Sequence, residues 1–287
     1  MFLYQTFYNF RNLKNDTIDL SNREVYFVGE NGQGKSNILE SLYYSAYGVS
    51  FRTHVDSQIV KNGQNSFSLN ALYKSDENNT DKVSVFFENN KKRIEKNGKK
   101  IKDRKEIINT IPCILFCHDD MKFATGEPEY RRFFIDQSLT LYNSSYLDDT
   151  RNYKKVLKSR NLLLKNHEYE MLDIYDAQLV QLGLIVEEKR KKAIFQFNEI
   201  FGKIYEDITG IEGLSISYHP SWKEHDDGNR KTLPTFDELI AQLKIQRNKD
   251  MEMETTISGP HRDRIDFVKD HHLFVPTAST GQCRLIS

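Results

Sequence analysis

The chain has 287 residues, and its 41 lysines and arginines balance 41 aspartates and glutamates, so any nucleic-acid contact must come from local patches rather than a global field. That length suffices for one large domain or two lobes with a packed core. Cys113, Cys117 and Cys283 form no C-x-x-C pair, Met1–Thr6 lacks the marks of a signal peptide, and no window of about eighteen residues is apolar throughout, so disulfide-scaffolded, exported and membrane-spanning classes are set aside and a cytoplasmic location is expected.

In chain order, Phe2 to Tyr8 alternates weakly and reads as a strand. Val25-Tyr26-Phe27-Val28 is a short apolar run suited to a buried strand. It leads into Gly29-Glu30-Asn31-Gly32-Gln33-Gly34-Lys35-Ser36, which reads G-x-x-x-x-G-K-S, the phosphate-cradling loop of nucleoside-triphosphate-binding proteins. Glycines permit a tight loop whose backbone N–H groups face phosphate oxygens. Lys35 supplies a point charge for the β- and γ-phosphates, and the Ser36 hydroxyl is a ligand for Mg²⁺. Helical spacing from Ser36 to Leu42 then places a helix N-terminus behind the loop.

Two β-rich runs follow, Ser66 to Lys74 and Lys82 to Glu88, separated by a polar turn over Asp76–Asp81. Asn97-Gly98 is the preferred two-residue type I′ turn, so residues 91–102 form a hairpin. Lys91 through Lys105 holds nine basic and two acidic residues, an excess of seven positive charges. Two readings stay open here: an edge hairpin blunted by solvated lysines, or a phosphate-contacting patch.

Beyond Pro112, Ile114-Leu115-Phe116 reads as a buried strand. From about Glu129 to Ile208 the apolar residues recur at three- and four-residue steps. An early helix carries Tyr153, Val156, Leu157, Leu163 and Leu164. The stripe from Met171 to Ile204 makes one helix of about 35 residues or two in series, and together they form an antiparallel helical arm. Strand character returns over Gly213–His219, followed by a polar loop at Asp226-Asp227-Gly228-Asn229. Alternation resumes at Thr255–Ser258, Arg264–Val268 and Leu273–Val275.

Near the end stands Ala278-Ser279-Thr280-Gly281-Gln282. A serine hydroxyl, a glycine N–H and a helix N-terminus make a second anion site. Paired with the phosphate loop, this resembles the signature of ABC-class ATPases. There, such a serine and glycine bind the γ-phosphate of nucleotide held by the opposite subunit.

Along nearly its whole length the chain resembles the bacterial RecF family. The resemblance is carried by Asn9-Phe10-Arg11-Asn12, by Gly29 through Glu40, and by Ser50-Phe51-Arg52. It continues through Gly126-Glu127-Pro128-Glu129-Tyr130-Arg131-Arg132-Phe133-Phe134-Ile135-Asp136, Arg160-Asn161-Leu162-Leu163-Leu164-Lys165 and Gly259-Pro260-His261-Arg262-Asp263. It implies an α/β fold, an ABC-type P-loop ATPase head of mixed β-sheet and helices with an inserted helical arm. It divides the chain into an ATPase lobe with P-loop and basic hairpin over 1–118, an arm over 119–212, and the rest of the second lobe with the signature over 213–287. It implies ATP and Mg²⁺ as cofactors and an ATP-dependent homodimer. It implies binding of single-stranded and gapped or junction DNA, and work with RecO and RecR in loading RecA during recombinational repair, replication and the SOS response.

Residue by residue, Gly29 to Ser36 carry over as the nucleotide site, with Ser36 as metal ligand, and Ser279, Gly281 and Gln282 as the signature acting in trans. Arg11 and Asn12 lie at the nucleotide edge, with capping of the sheet as the other reading for Arg11. His261 and Arg262 stand open between a functional role and a polar buttress. Asp119 and Asp120 lie where ABC ATPases often place a loop that senses Mg²⁺ and water, but neither is assigned a role.

The family pattern continues past the signature into an apolar strand ending in paired acids, whereas the sequence stops at Ser287, six residues after Gly281. Cys117-His118-Asp119-Asp120 is superficially similar but precedes the arm. With that part of the sheet missing, the chain as given is expected to bind ATP poorly and hydrolyse it negligibly, and no catalytic residue is assigned. Other classes sharing the nucleotide signals are a transporter ATPase subunit and the ATPase head of an overcoming-lysogenization-type nuclease. A structural ATPase of the SMC type would need a far longer coiled coil.

Overall fold

In the computed structural model the described residues are 1–74, 79–103, 106–107, 110–111, 113–117, 121–223, 225–226, 231–232 and 234–286. They fall into two compact units, Met1–Leu115 and Phe116–Ser287. Residues 76–78 of the expected turn at Asp76–Asp81 and residues 227–229 of the polar loop at Asp226–Asn229 lie outside the described residues, as do Pro112, His118, Asp119, Asp120 and the basic residues Arg104 and Lys105.

In the first unit six strands form one sheet: β1 (Phe2–Tyr8), β2 (Asp16–Asp19), β3 (Ser66–Lys74), β4 (Thr80–Glu88), β5 (Lys91–Lys96) and β6 (Lys99–Lys100). Their order is β2-β1-β3-β4-β5-β6, and each described pairing is antiparallel. Strict alternation sends Phe67, Leu69, Ala71 and Tyr73 of β3 to the buried side, opposite Val83, Val85 and Phe87 of β4. Helix α1 (Lys35–Tyr47) contacts β1, β3 and β4, and its Tyr44 sits edge-on to Phe67 at a centroid distance of 5.6 Å. At the β5–β6 hairpin Asn97 (φ 50°) and Gly98 (φ 76°) both take positive φ, as the type I′ turn requires.

The second unit is built on α2 (Met121–Thr125), α3 (Pro128–Tyr142), α4 (Ser144–Asn166) and the 38-residue α5 (Leu172–Thr209), so the long stripe is one uninterrupted helix. A three-stranded sheet of β7 (Leu214–His219), β10 (Arg264–Lys269) and β11 (His272–Leu273) runs in the order β11-β10-β7. A two-stranded ribbon joins β8 (His225–Asp226) and β9 (Lys231–Thr232). Helices α6 (Phe236–Glu252) and α7 (Thr280–Ile286) complete the unit. One core gathers Phe123, Ile194, Tyr205, Ile216, Phe267 and Cys283. Another packs Tyr146, Tyr153, Leu179, Leu239 and Leu243 about the fully buried Trp222.

Three expectations are corrected. Residues 24–30 form no strand, and Tyr26 and Val28 are 79% and 93% exposed. An apolar run becomes a strand only when a neighbour completes its hydrogen-bond ladder, and no described strand pairs with this one. Ile114-Leu115-Phe116 likewise pairs with nothing described and leaves Ile114 80% exposed. Thr255–Ser258 is not a strand because side chains take its donors: Thr256 N–H bonds Asn161 Oδ1 and Ile257 N–H bonds Asp250 Oδ1.

Helix α6 was not anticipated. Its signal was present in Thr235-Phe236-Asp237-Glu238, a reciprocal capping box in which Thr235 and Glu238 satisfy each other's backbone N–H groups. Among the described residues, no helix is long and apolar enough to cross a membrane.

Candidate nucleotide-binding site

The loop from Gly29 to Gly34 turns directly into α1, whose N-cap is Gly34 at φ 98° with no side chain capping the helix. An uncapped helix start leaves N–H groups and the positive end of the macrodipole open to an anion. Gly34 has to be glycine for two reasons. Its φ lies in the left-handed region, and a Cβ there would stand 2.6 Å from Leu13 Cδ2 and 3.0 Å from Asn12 Oδ1. A Cβ at Gly29 would stand 2.4 Å from Gln33 Oε1, the atom that accepts the Glu30 N–H. The Lys35 ammonium donates to the carbonyls of Gly29 and Glu30, both at 2.7 Å, and so sits across the loop. Ser36 is exposed one position into the helix. The donor set therefore fits a polyphosphate: free N–H groups, one ammonium and one hydroxyl.

Three stretches far apart in sequence converge behind this loop. The carboxylate of Glu40, fully buried, receives Arg11 through two bonds, Nε to Oε2 at 3.0 Å and Nη2 to Oε1 at 2.7 Å. Ser50 donates its hydroxyl to the same carboxylate, and Arg52 reaches it at 3.3 Å. Arg11 holds a left-handed φ of 50°, secured by its N–H to the Ile59 carbonyl at 2.7 Å and its Nη1 to the Gln58 carbonyl at 2.8 Å. Glu40 is thus the hub of the first unit's polar core. Arg11 lies behind the loop as its partner rather than at the end of a strand.

A second chain of bonds runs from Arg52 into the loop. Arg52 Nη1 donates to Asn37 Oδ1 at 2.7 Å, Asn37 Nδ2 donates to Asn12 Oδ1 at 2.7 Å, and Asn12 Nδ2 donates to the Gly32 carbonyl at 2.8 Å. A guanidinium can only donate, so it orients both carboxamides in series. The last of them donates to Gly32 and so ties the loop's backbone to the segment after β1. Sequence reasoning placed Arg11 and Asn12 at the nucleotide edge but assigned no role to Asn37, Glu40 or Arg52. Their only signal was membership of the motifs flanking the loop.

Ser279, Gly281 and Gln282 belong to the second unit. Ser279 precedes α7 in a reciprocal cap: its N–H bonds Gln282 Oε1 at 2.7 Å, and Gln282 N–H bonds Ser279 Oγ at 3.2 Å. Ser279 and Gly281 are exposed, whereas Cys283 and Ile286 on the other side of the helix enter the core. Tyr205 further ties the helix down through its hydroxyl to the Gln282 carbonyl at 3.2 Å. The short helix is therefore held by packing rather than by propensity.

The remaining motifs of the second unit meet on buried arginines. Arg190 of α5 pairs with Asp136 through Nε at 2.9 Å and Nη2 at 3.0 Å, and with Asp263 at 2.9 Å. Burial pushes the Asp263 carboxyl above the usual carboxylate range, against the pull of Arg190 and of the Tyr218 hydroxyl bonded to it. Arg160 pairs with Asp176 at 2.6 Å and Asp250 at 2.7 Å, with no exposed surface. His261 is a buttress: Nε2 faces the Thr256 carbonyl at 3.0 Å and Nδ1 faces the Tyr153 hydroxyl at 2.8 Å. A carbonyl can only accept, so the proton sits on Nε2 and Tyr153 donates to Nδ1. Burial, with Arg262, Arg132 and Arg160 nearby, lowers its pKa to about 4. Arg262 points to solvent. Asp119 and Asp120 lie outside the described residues.

Comparison with known proteins gives a consistent picture. Residues 6–252 match the model of the AAA domain family. The chain is 43% identical over 281 residues to the DNA replication and repair protein RecF of Treponema pallidum, covering 97% of this chain and 77% of that protein. It is 36% identical over 260 residues to the protein of the same name from Clostridium botulinum, covering 89% and 69%. Among solved structures it is similar to the recombination mediator protein RecF bound to ATP, with a TM-score of 0.87 and 26% identity over 99% of this chain and 77% of that one.

Proposed function

This chain belongs to the RecF family of DNA replication and repair proteins, with the α/β ATPase head of that family, and on that premise we propose that it is an ATP-responsive DNA-binding protein of recombinational repair. The observation that carries the reading is the uncapped start of α1 behind the glycine loop, braced from outside by Asn12. Gly29 to Gly34 would hold the phosphates through backbone N–H groups, and Lys35 would leave the Gly29 and Glu30 carbonyls for the β- and γ-phosphates. The Ser36 hydroxyl would supply one Mg²⁺ ligand, with phosphate and water oxygens supplying the rest. Among the described residues no cluster of three or more His, Cys, Asp or Glu could hold a metal without the nucleotide.

The exposed Ser279 and Gly281, with Gln282 at the start of α7, would receive the γ-phosphate held by a second copy, so that ATP joins two protomers. Such a dimer would engage single-stranded and gapped or junction DNA, and act with RecO and RecR in loading RecA within the SOS response. The name of the ATP-bound solved relative places that protein in the RecFOR pathway, which supports the partner assignment.

The test is titration of the purified chain with ATP and Mg²⁺, followed by fluorescence of a nucleotide analogue and by light scattering. The expected result is weak but saturable binding that Lys35→Ala abolishes, with ATP-dependent association that Ser279→Arg abolishes while nucleotide binding persists. Equal nucleotide binding by Lys35→Ala would remove the basis of the reading.

A further inference from the structure

Helix α4 carries an acid-free stretch. From Thr150 to Asn166 it holds Arg151, Lys154, Lys155, Lys158, Arg160 and Lys165 but no aspartate or glutamate. Arg160 is consumed in its buried ion pairs, and the other five are exposed. Arg151 has Asp148 at 3.8 Å, whereas Lys154, Lys155, Lys158 and Lys165 have no ion-pair partner among the described residues. Positions 151, 154, 158 and 165 are separated by steps of three, four and seven, which keeps them on one line of the helix surface. At 1.5 Å per residue that line is about 21 Å long. In a chain of zero net charge, such an unneutralised row makes a local positive field suited to a row of anions.

The surface beside the row narrows the class of anion. Lys155 lines a groove of about 350 Å³ between α4 and α5 together with Asn152, Ser159, Tyr175 and Gln178. Lys155 stands between the row and this groove, so a phosphodiester strand crossing from the row over Lys155 would bring its bases to an aromatic ring and two carboxamides, the surroundings suited to unpaired bases.

The basic hairpin of the first unit is different. Lys92 pairs with Asp56 at 2.8 Å and bonds the Gly48 carbonyl, Arg93 pairs with Glu95 and covers the Phe86 ring, and Lys96 pairs with Asp81. Three of its cations are thus spent within the first unit.

We infer that the α4 row is the site along which this protein holds the phosphate backbone of single-stranded DNA, with Tyr175 at the groove as a stacking platform. The inference rests on the DNA-binding part of the proposed function and adds to it the site that takes the single strand.

The experiment uses fluorescence anisotropy of the intact chain with labelled oligo(dT) and with a duplex, across a salt titration. Changing Lys154, Lys158 and Lys165 together to Gln preserves helix propensity and touches no packed side chain. It should weaken oligo(dT) binding at least tenfold at low salt and make the log–log salt slope shallower by about 2, as loss of three single-strand phosphate contacts requires. Tyr175→Ala should weaken oligo(dT) binding roughly five- to tenfold with the slope unchanged. ATP affinity should match the parent in both variants.

Parent-like oligo(dT) binding by the triple variant, or loss of binding only in Lys99→Gln/Lys100→Gln on the hairpin, overturns the inference. So does a loss confined to duplex DNA. Absence of DNA binding by the parent chain would overturn the DNA part of the proposed function as well, while leaving its nucleotide part standing.

Discussion

The guanidinium of Arg11 and the carboxylate of Glu40 meet as two forks, with both bonds at 3.0 Å or less and the carboxylate fully buried. Bidentate pairing of this kind fixes direction as well as charge. It fastens the segment after β1 to the middle of α1, the helix that the glycine loop enters. Glu40→Gln would present an amide N–H₂ to guanidinium donors and leave Arg11 partly buried without its counter-charge. We expect a loss of about 2–4 kcal/mol of unfolding free energy, read by urea denaturation. A change below about 0.5 kcal/mol, the range of an ordinary surface substitution, would show that Glu40 is not the hub described.

Asn12 acts on the loop without belonging to it. Its carboxamide is the last donor in the series from Arg52 and ends on the Gly32 carbonyl at 2.8 Å. Asn12→Ala should therefore weaken nucleotide affinity by about tenfold, the worth of one hydrogen bond of about 1.4 kcal/mol. Because Asn12 is exposed, the melting temperature should stay close to the parent's. Isothermal titration and thermal melts on the same preparation separate the two effects, and unchanged affinity would refute the relay.

The neutral His261 makes the second unit sensitive to acid. Its pKa is lowered to about 4 in the folded chain, first by burial, against an ordinary value of about 6.5 in the unfolded chain. The unfolded state thus binds the extra proton first, so the stabilisation is complete above about pH 6.5 and declines as pH falls toward 4. The full loss amounts to about 3 kcal/mol. Denaturant midpoints across this range should fall with acidity, and His261→Gln should flatten the profile. A profile equally steep in the variant would assign the effect to other groups.

Gly183 leaves room for an indole. A Cβ there would stand 2.3 Å from Trp222 Cη2 and 2.6 Å from Cζ3, with Pro260 Cδ at 3.3 Å. Trp222 is fully buried among Tyr146, Tyr153, Leu179, Leu239 and Leu243. Gly183→Ala should destabilise the chain by about 1–3 kcal/mol through overpacking, although alanine is the better helix former. A rise in the melting temperature would mean that the core yields around the added methyl.

Much of the candidate site was legible before any coordinates. The glycine loop, its lysine and serine, and the helix behind them are a local pattern, because their chemistry depends on neighbours one to seven residues away. The type I′ turn at Asn97-Gly98 and the helical stripe of α5 were legible for the same reason, whereas its continuity as one helix was not. The strands expected at Val25–Val28 and Ile114–Phe116 were not formed, since an apolar run cannot report whether a partner strand stands beside it. Helix α6 also carries a local signal, the capping box of Thr235 and Glu238.

By itself, then, the sequence determined the elements whose physics is short-ranged: the glycine loop, the helix starts and caps, the hairpin turn and the family pattern running through them. Only the tertiary structure decided what the flanking motifs do. It gathers Arg11, Ser50 and Arg52 on Glu40, runs the amide relay from Arg52 to Gly32, and brings Asp136 and Asp263 to Arg190. Those partners lie up to 73 residues apart in the chain. A buried charge takes whichever counter-charge the fold delivers to it, and periodicity along a sequence carries no record of that choice.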